Sequence, residues 1–250
     1  MNHLFQYSLH LADNALILGH RNSEWTGHGP ILEQDIALSN IALDLLGQAR
    51  NFYQYAAQLA GNNETEDSLA YLRDSHEFRN CLLVEQPNGH WGTTILRQFF
   101  FSTYQFYFYT QLQQSKDETL AAIAEKALKE VTYHTRWSAE WVIRLGDGTE
   151  ESHNNMQQAM EDLWKFTGEL FMPADYETAL IKENIGVNLT PLKPLWEQKV
   201  NSVLDEATLT SDPQKTWMQT GGKEGRHTEH LGFVLAEMQY LQRAYPNSEW

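Results

Sequence analysis

Apolar residues recur at steps of three and four along most of the chain, the spacing of one face of an α-helix. Leu4, Phe5, Leu9, Leu11, Ala15, Leu16 and Leu18 mark a helix over 4–19. Two glycines and a proline make 21–30 a loop. Ile36, Ile41, Leu43, Leu45, Leu46, Phe52 and Tyr55 mark a long helix over 31–59, which GNN at 61–63 stops. The period restarts over 65–84 with Leu69, Leu72, Cys81 and Leu83, and EQPNG at 85–89 breaks it. Further helices are predicted over 91–113, 117–145 and from Glu150 to about Phe171, with Thr149 as the N-cap of the last of these. Order weakens over 171–216, an irregular connector holding Pro173, Pro191, Pro194 and Pro213, with a short amphipathic piece near 195–206. A last helix is expected over 224–244. No alternating strand, repeat or linker interrupts the series. The expected fold is all-α: one domain over 1–250, built as an antiparallel bundle of long helices.

The helix over 91–113 is unusual because Phe99, Phe100, Phe101, Tyr104, Phe106, Tyr107, Phe108 and Tyr109 cover all its sides. Such a helix is buried all round. It is either the centre of one large domain or a helix that shares part of its surface with another subunit. The polar group Glu224, Arg226, His227, Glu229 and His230 opens the last helix as caps or as a partner-docking patch.

Composition narrows the functional classes. A net charge of −15 opposes nucleic-acid binding. The first residues lack the basic and apolar stretches of a signal peptide, and no apolar run is long enough to span a membrane, so a cytoplasmic protein is expected. Cys81 is the single cysteine and excludes an intramolecular disulfide.

Long antiparallel helices with acids at matching heights can hold a pair of irons, each helix pair giving Glu and then Glu-x-x-His. If the first hairpin turns near 62 and the second near 147, Asp44 lies level with Glu77 and Asn80, and Glu130 with Glu161, Asp162 and Lys165. The layout is that of a di-iron bundle, but Asn80 and Trp164 or Lys165 stand where imidazoles are needed. His134 shares a helix face with Glu130. Three readings follow: a working metal site, a bundle that has lost its metal, or a helical core with coincidental acids. A separate possibility lies at 172–184. A short helix from about Asp175 would leave the amides of Glu177, Thr178 and Ala179 free to meet a phosphate, with Lys182 nearby.

The strings LADNALILGHRNSEWTGHGP (11–30), LDLLGQAR (43–50), YHTRWSAEWVIRLGDGTEES (133–152) and GGKEGRHTEHLGFVLAEMQYLQRAYP (221–246) resemble the C-subunit family of the bacterial phenylacetyl-CoA epoxidases, nearly end to end. The resemblance implies a ferritin-like bundle with a degenerate di-iron site. It implies a structural, non-catalytic subunit that binds no cofactor itself. Its partners would be the di-iron catalytic A-type subunit, a small bridging subunit and a flavin/iron-sulfur reductase using NADPH, with phenylacetyl-CoA at the subunit boundary. The alternative function is a di-iron oxygenase or iron-handling protein in its own right.

Overall fold

The computed structural model describes residues 2–61, 63–210, 217–246 and 248. Asn62, in the expected GNN stop, and 211–216, the end of the connector with Pro213, lie outside the described residues. Among the described residues every regular element is helical. The ferritin-like bundle is built from two hairpins. Helix α1 (His3–Ser23) packs along α2 (Leu32–Ala60), and α5 (Trp91–Leu112) packs along α6 (Glu118–Gly146), with α2 also against α6. Between the hairpins come two short helices, α3 (Glu66–Tyr71) and α4 (Leu82–Glu85). Helices α7 (Glu150–Leu163), α8 (Asp175–Lys182) and α9 (Leu192–Glu206) follow, then α10 (Glu229–Met238) and α11 (Tyr240–Ala244). Helices α7 and α9 cover α5, and α8 covers α1.

Local chemistry sets the starts of these helices. Asn2, Asp117 and Thr149 each accept a first-turn amide of α1, α6 and α7, so the expected Thr149 cap is present. Helix α5 is the centre of the molecule. Phe99, Phe100, Phe101, Tyr104, Phe108 and Tyr109 are buried, and only Phe106 and Tyr107 among these aromatics are half-buried.

The helix expected over 65–84 does not form. Helix α3 ends at Tyr71, a 3-10 turn spans Ser75–Glu77, and the backbone is extended at Phe78 before α4. Helical propensity loses here to side-chain acceptors from elsewhere in the fold. Asp13 Oδ2 accepts the Arg79 amide at 2.7 Å, Asn14 Oδ1 the Cys81 amide at 2.8 Å, and Glu169 Oε2 the Leu82 amide at 2.7 Å. An amide held this way is no longer offered to the carbonyl four residues back.

Three other boundaries also move. Helix α7 gives way at Trp164 to two 3-10 turns that reach Phe171. The connector holds α8 and α9 rather than irregular chain alone. The last helix is divided into α10 and α11, and a 3-10 turn over Gly222–Glu224 replaces its expected start.

Candidate functional site

Two positions four apart on a helix share a face. On α2 these are Asp44 and Gln48; on α6 they are Glu130 and His134. The helices run antiparallel here, so the pairs meet as two rungs. His134 Nε2 lies 2.9 Å from Asp44 Oδ2, and Gln48 Nε2 donates to Glu130 Oε2 at 2.9 Å. Helix α5 extends the second rung inward. Tyr109 donates to Gln48 Oε1 at 3.4 Å, and Gln105 Nε2 donates to the Tyr109 hydroxyl at 3.3 Å.

The seam is graded from inside to outside. His134 is fully buried, whereas the Asp44 side chain is 38% exposed. Burial raises the Glu130 carboxyl, the Gln48 hydrogen bond opposes this, and the Asp44 charge adds to it. His134 Nδ1 is buried without a hydrogen-bond partner.

The ferritin-like fold raises the question of an iron pair, and these residues do not fit one. Gln48 presents an N–H donor, not a lone pair, to Glu130. The His134 Nε2 is committed to Asp44. The third helix brings a phenol and an amide where carboxylates are needed. Two carboxylates and one imidazole fall well short of the roughly six inward ligands such a site uses. Among the described residues, no three His, Cys, Asp or Glu side chains are grouped to hold a metal.

Of the residues chosen by height along the hairpins, only Asp44, Glu130 and His134 come together. The main partner of α2 is α1, joined by a turn over 24–31, and the main partner of α6 is α5, so the assumed turns at 62 and 147 gave the wrong mirror positions. Glu77 is exposed and accepts the Asp74 amide at 2.8 Å. Asn80 is buried and donates to Glu85 Oε2 at 2.8 Å. Glu161 and Asp162 are exposed on α7. The Lys165 ammonium sits over the Phe166 ring, 5.3 Å from its centre.

The helix start at Asp175 exists, but of the amides expected to be free there that of Thr178 is already bonded. The Thr178 amide donates to the Ala174 carbonyl at 2.9 Å, and the Glu177 carboxylate accepts the Ala174 amide at 2.8 Å. This helix thus carries its own buried anion, which Lys223 Nζ meets at 3.0 Å. Ala179 is half-buried on α8, and Thr178 and Lys182 are exposed.

Three acids away from the seam, Asp13, Glu85 and Glu169, escaped the sequence reading, and at Glu177 the amide rather than the carboxylate was the candidate; all four are buried. Asp13 accepts from Tyr53 at 2.5 Å, from both Arg73 Nη atoms and from the Arg79 amide. Glu85 accepts from Asn80, from His227 Nδ1 at 2.8 Å, and from the Thr228 amide and hydroxyl at 2.7 Å each. Glu169 accepts the amides of Leu82, Gly221 and Gly222. The 221–225 turn can approach this closely only because of its glycines. A Cβ on Gly222 would lie 2.2 Å from the Asn80 carbonyl oxygen, and one on Gly225, at φ +84°, 2.2 Å from that of His76. His227, expected in a polar helix start, is therefore a buried partner of Glu85. The available signal was Asp13 and Asn14, which share a helix face with His10 inside the largely apolar stretch Leu9–Leu18.

Comparison with known proteins agrees with the resemblance in the quoted strings. The family described as "Phenylacetic acid catabolic protein" matches residues 1–250. The chain is 52% identical over 250 residues, 100% of both chains, to the C subunit of the 1,2-phenylacetyl-CoA epoxidase of Escherichia coli (strain K12). Among the described residues no helix is long and apolar enough to cross a membrane. The chain belongs to the phenylacetic acid catabolic protein family.

Proposed function

We propose that this chain is the C subunit of a phenylacetyl-CoA epoxidase, acting in phenylacetate catabolism in the cytoplasm. The observation that carries the reading is its end-to-end identity of 52% with the Escherichia coli C subunit. In this reading it has a structural role. It pairs with and stabilises a di-iron catalytic subunit, and a small bridging subunit and an NADPH-dependent flavin/iron-sulfur reductase complete the system.

The seam supports a role without redox chemistry in this chain. Its carboxylates and imidazole are bonded to one another and to an amide rather than arranged as a ligand set. The exposed apolar side chains Leu32, Ile36 and Leu43 lie on α2, the helix that carries Asp44, and are consistent with a partner there.

The test is co-purification with the catalytic subunit, with iron assigned chain by chain. The expected result is a stable complex whose O2- and NADPH-dependent turnover persists with this chain free of iron. Failure to associate would overturn the structural role. About two irons per isolated chain, with turnover by the chain alone, would instead support an oxygenase in its own right.

A further inference from the structure

Segment 221–228 leads into α10 and is fastened at two points. At the front, Glu169 Oε1 accepts the Gly221 and Gly222 amides at 2.8 and 2.7 Å, and Lys223 Nζ lies 3.0 Å from Glu177 Oε2. At the rear the fastening is His227. Its Nδ1 lies 2.8 Å from Glu85 Oε2 on α4, and its Nε2 lies 3.0 Å from the Phe78 carbonyl oxygen. Among the described residues no other imidazole has an oxygen acceptor within 3.0 Å of each ring nitrogen.

Both of these oxygens accept. Phe78 offers a backbone carbonyl, and Asn80 Nδ2 and the Thr228 amide each donate to one of the Glu85 oxygens, which favours the carboxylate. A neutral imidazole has one N–H and one lone pair. Either neutral tautomer would therefore set a lone pair against an oxygen, in a side chain only 4% exposed. The imidazolium, with a donor on each nitrogen, satisfies both contacts.

The surrounding charges do not take over this role. Arg79 Nη1 donates to the same Phe78 carbonyl at 2.9 Å. Asp13 on α1 is paired with Arg73 and acts on His227 less than Glu85 does. On the segment itself Arg226 is exposed beside Glu224, and Lys223 is bound to Glu177. His76 and Glu77 on the neighbouring 3-10 turn and Glu229 on α10 are exposed.

We propose that His227 is a pH-sensitive latch: as an imidazolium it fastens 226–231 to α4 and to the chain at Phe78, and loss of its proton frees that segment while the two hairpins stay folded. Because α10 begins directly after the latch, at Glu229, the same proton fixes where that helix and its exposed Phe233 leave the core. The latch is complete at acid pH and opens as pH rises through the folded His227 value, which lies above about 6.5. The front fastening persists over that range. Burial would lower the Lys223 pKa, but Glu177 outweighs it and keeps the ammonium charged. The latch is independent of the role assigned to the whole chain.

The test is amide hydrogen exchange of the full chain at about pH 6 and about pH 9, corrected for the intrinsic rate, with nitrogen-15 shifts of the histidine rings read alongside. At the lower pH both His227 nitrogens should show imidazolium shifts. Between the two pH values, protection over 226–231 should fall about tenfold or more relative to that of α5, the worth of one hydrogen bond to a charged group. His227→Gln removes the titration and should hold protection over 226–231 at one level at both pH values. Thr228→Val removes a different donor from Glu85 and should keep the pH dependence. A neutral His227 tautomer at the lower pH would overturn the proposal. So would a loss of protection shared equally by α5, no loss over 226–231, a pH dependence that survives in His227→Gln, or one that vanishes in Thr228→Val. The wild-type readouts decide the matter even where His227→Gln does not fold.

Discussion

The molecule contains two sets of acids that look alike in the sequence and behave differently in the fold. Around α1, Asp13, Glu85, Glu169 and Glu177 are buried, and each accepts several hydrogen bonds from segments 73–82 and 221–228 or from the start of α8. At the α2–α6 seam, Asp44 and Glu130 are partly exposed, and His134 and Gln48 hold one each. The first set organises chain that has no helix to organise it. The second bridges two helices that their apolar faces already hold together. Acids at a bundle centre therefore do not by themselves mark a reactive site. What each oxygen accepts decides whether the group is a structural lock or a group left available.

The comparison breaks most visibly at Asp13. Asp13→Ala would leave the Arg73 guanidinium buried without its carboxylate, and free the Arg79 amide and the Tyr53 hydroxyl. Breaking a buried pair from one side costs about 3–5 kcal/mol. Urea unfolding of the variant should show a loss of that size. A loss below about 1 kcal/mol, the range of exposed pairs, would mean that the lock is no lock.

Glu85 comes next and sharpens the contrast through pH. Burial alone would lower the His227 pKa, but the hydrogen bond and charge of Glu85 outweigh it and hold the imidazole above its ordinary value. The folded chain thus binds this proton more tightly than the unfolded one. The resulting stability is complete below the ordinary histidine pKa of about 6.5 and is lost as pH rises through the folded value. His10, lowered chiefly by burial, acts in the opposite sense, and its contribution is lost as pH falls below about 6.5. Wild-type urea midpoints should therefore decline on the alkaline side of about pH 6.5. Glu85→Gln should cost about 1–3 kcal/mol at neutral pH, because a buried acceptor becomes partly a donor. It should also flatten that alkaline decline. A decline that persists unchanged in the variant would separate the titration of His227 from Glu85.

Much of the fold was legible because it rests on periodicity. The apolar steps on α1, α2, α5 and α6 mark long helices, and Asp117 and Thr149 mark two of the starts. Chain with weak period misled for the opposite reason. Over 72–81 backbone amides are bound by Asp13 and Asn14, which lie 66 and 67 residues earlier in the chain, and no local pattern points to a partner that distant. The site was half legible. Spacing of four put Glu130 and His134 on one face, and the acid at Asp44 was visible as a candidate. The rest failed on topology, because the level of Asp44 was projected across the wrong turn and reached Glu77 and Asn80. Gln48 went unnoticed because an amide carries no charge and was not sought in a set of metal ligands.

The smallest expected effect lies at Glu130, and it tests whether the seam differs from the locks in kind. Glu130→Gln preserves an acceptor oxygen for Gln48 Nε2, so the rung survives. What disappears is a charge that burial, and then Asp44, disfavour in the folded state. A carboxyl whose folded pKa is raised costs nothing below its unfolded value, where both states are protonated. It costs most above its folded value, where both are ionised. The variant should therefore match wild type near pH 4 and be equal or slightly more stable at about pH 7. Because Glu130 is half-buried, screening keeps that gain to about 0.5 kcal/mol or less. Urea midpoints at the two pH values decide the matter. A loss above about 1 kcal/mol at neutral pH would place Glu130 with Asp13 and Glu85, as an anion the fold requires, because a net-favourable buried anion must be held by more than a single neutral hydrogen bond.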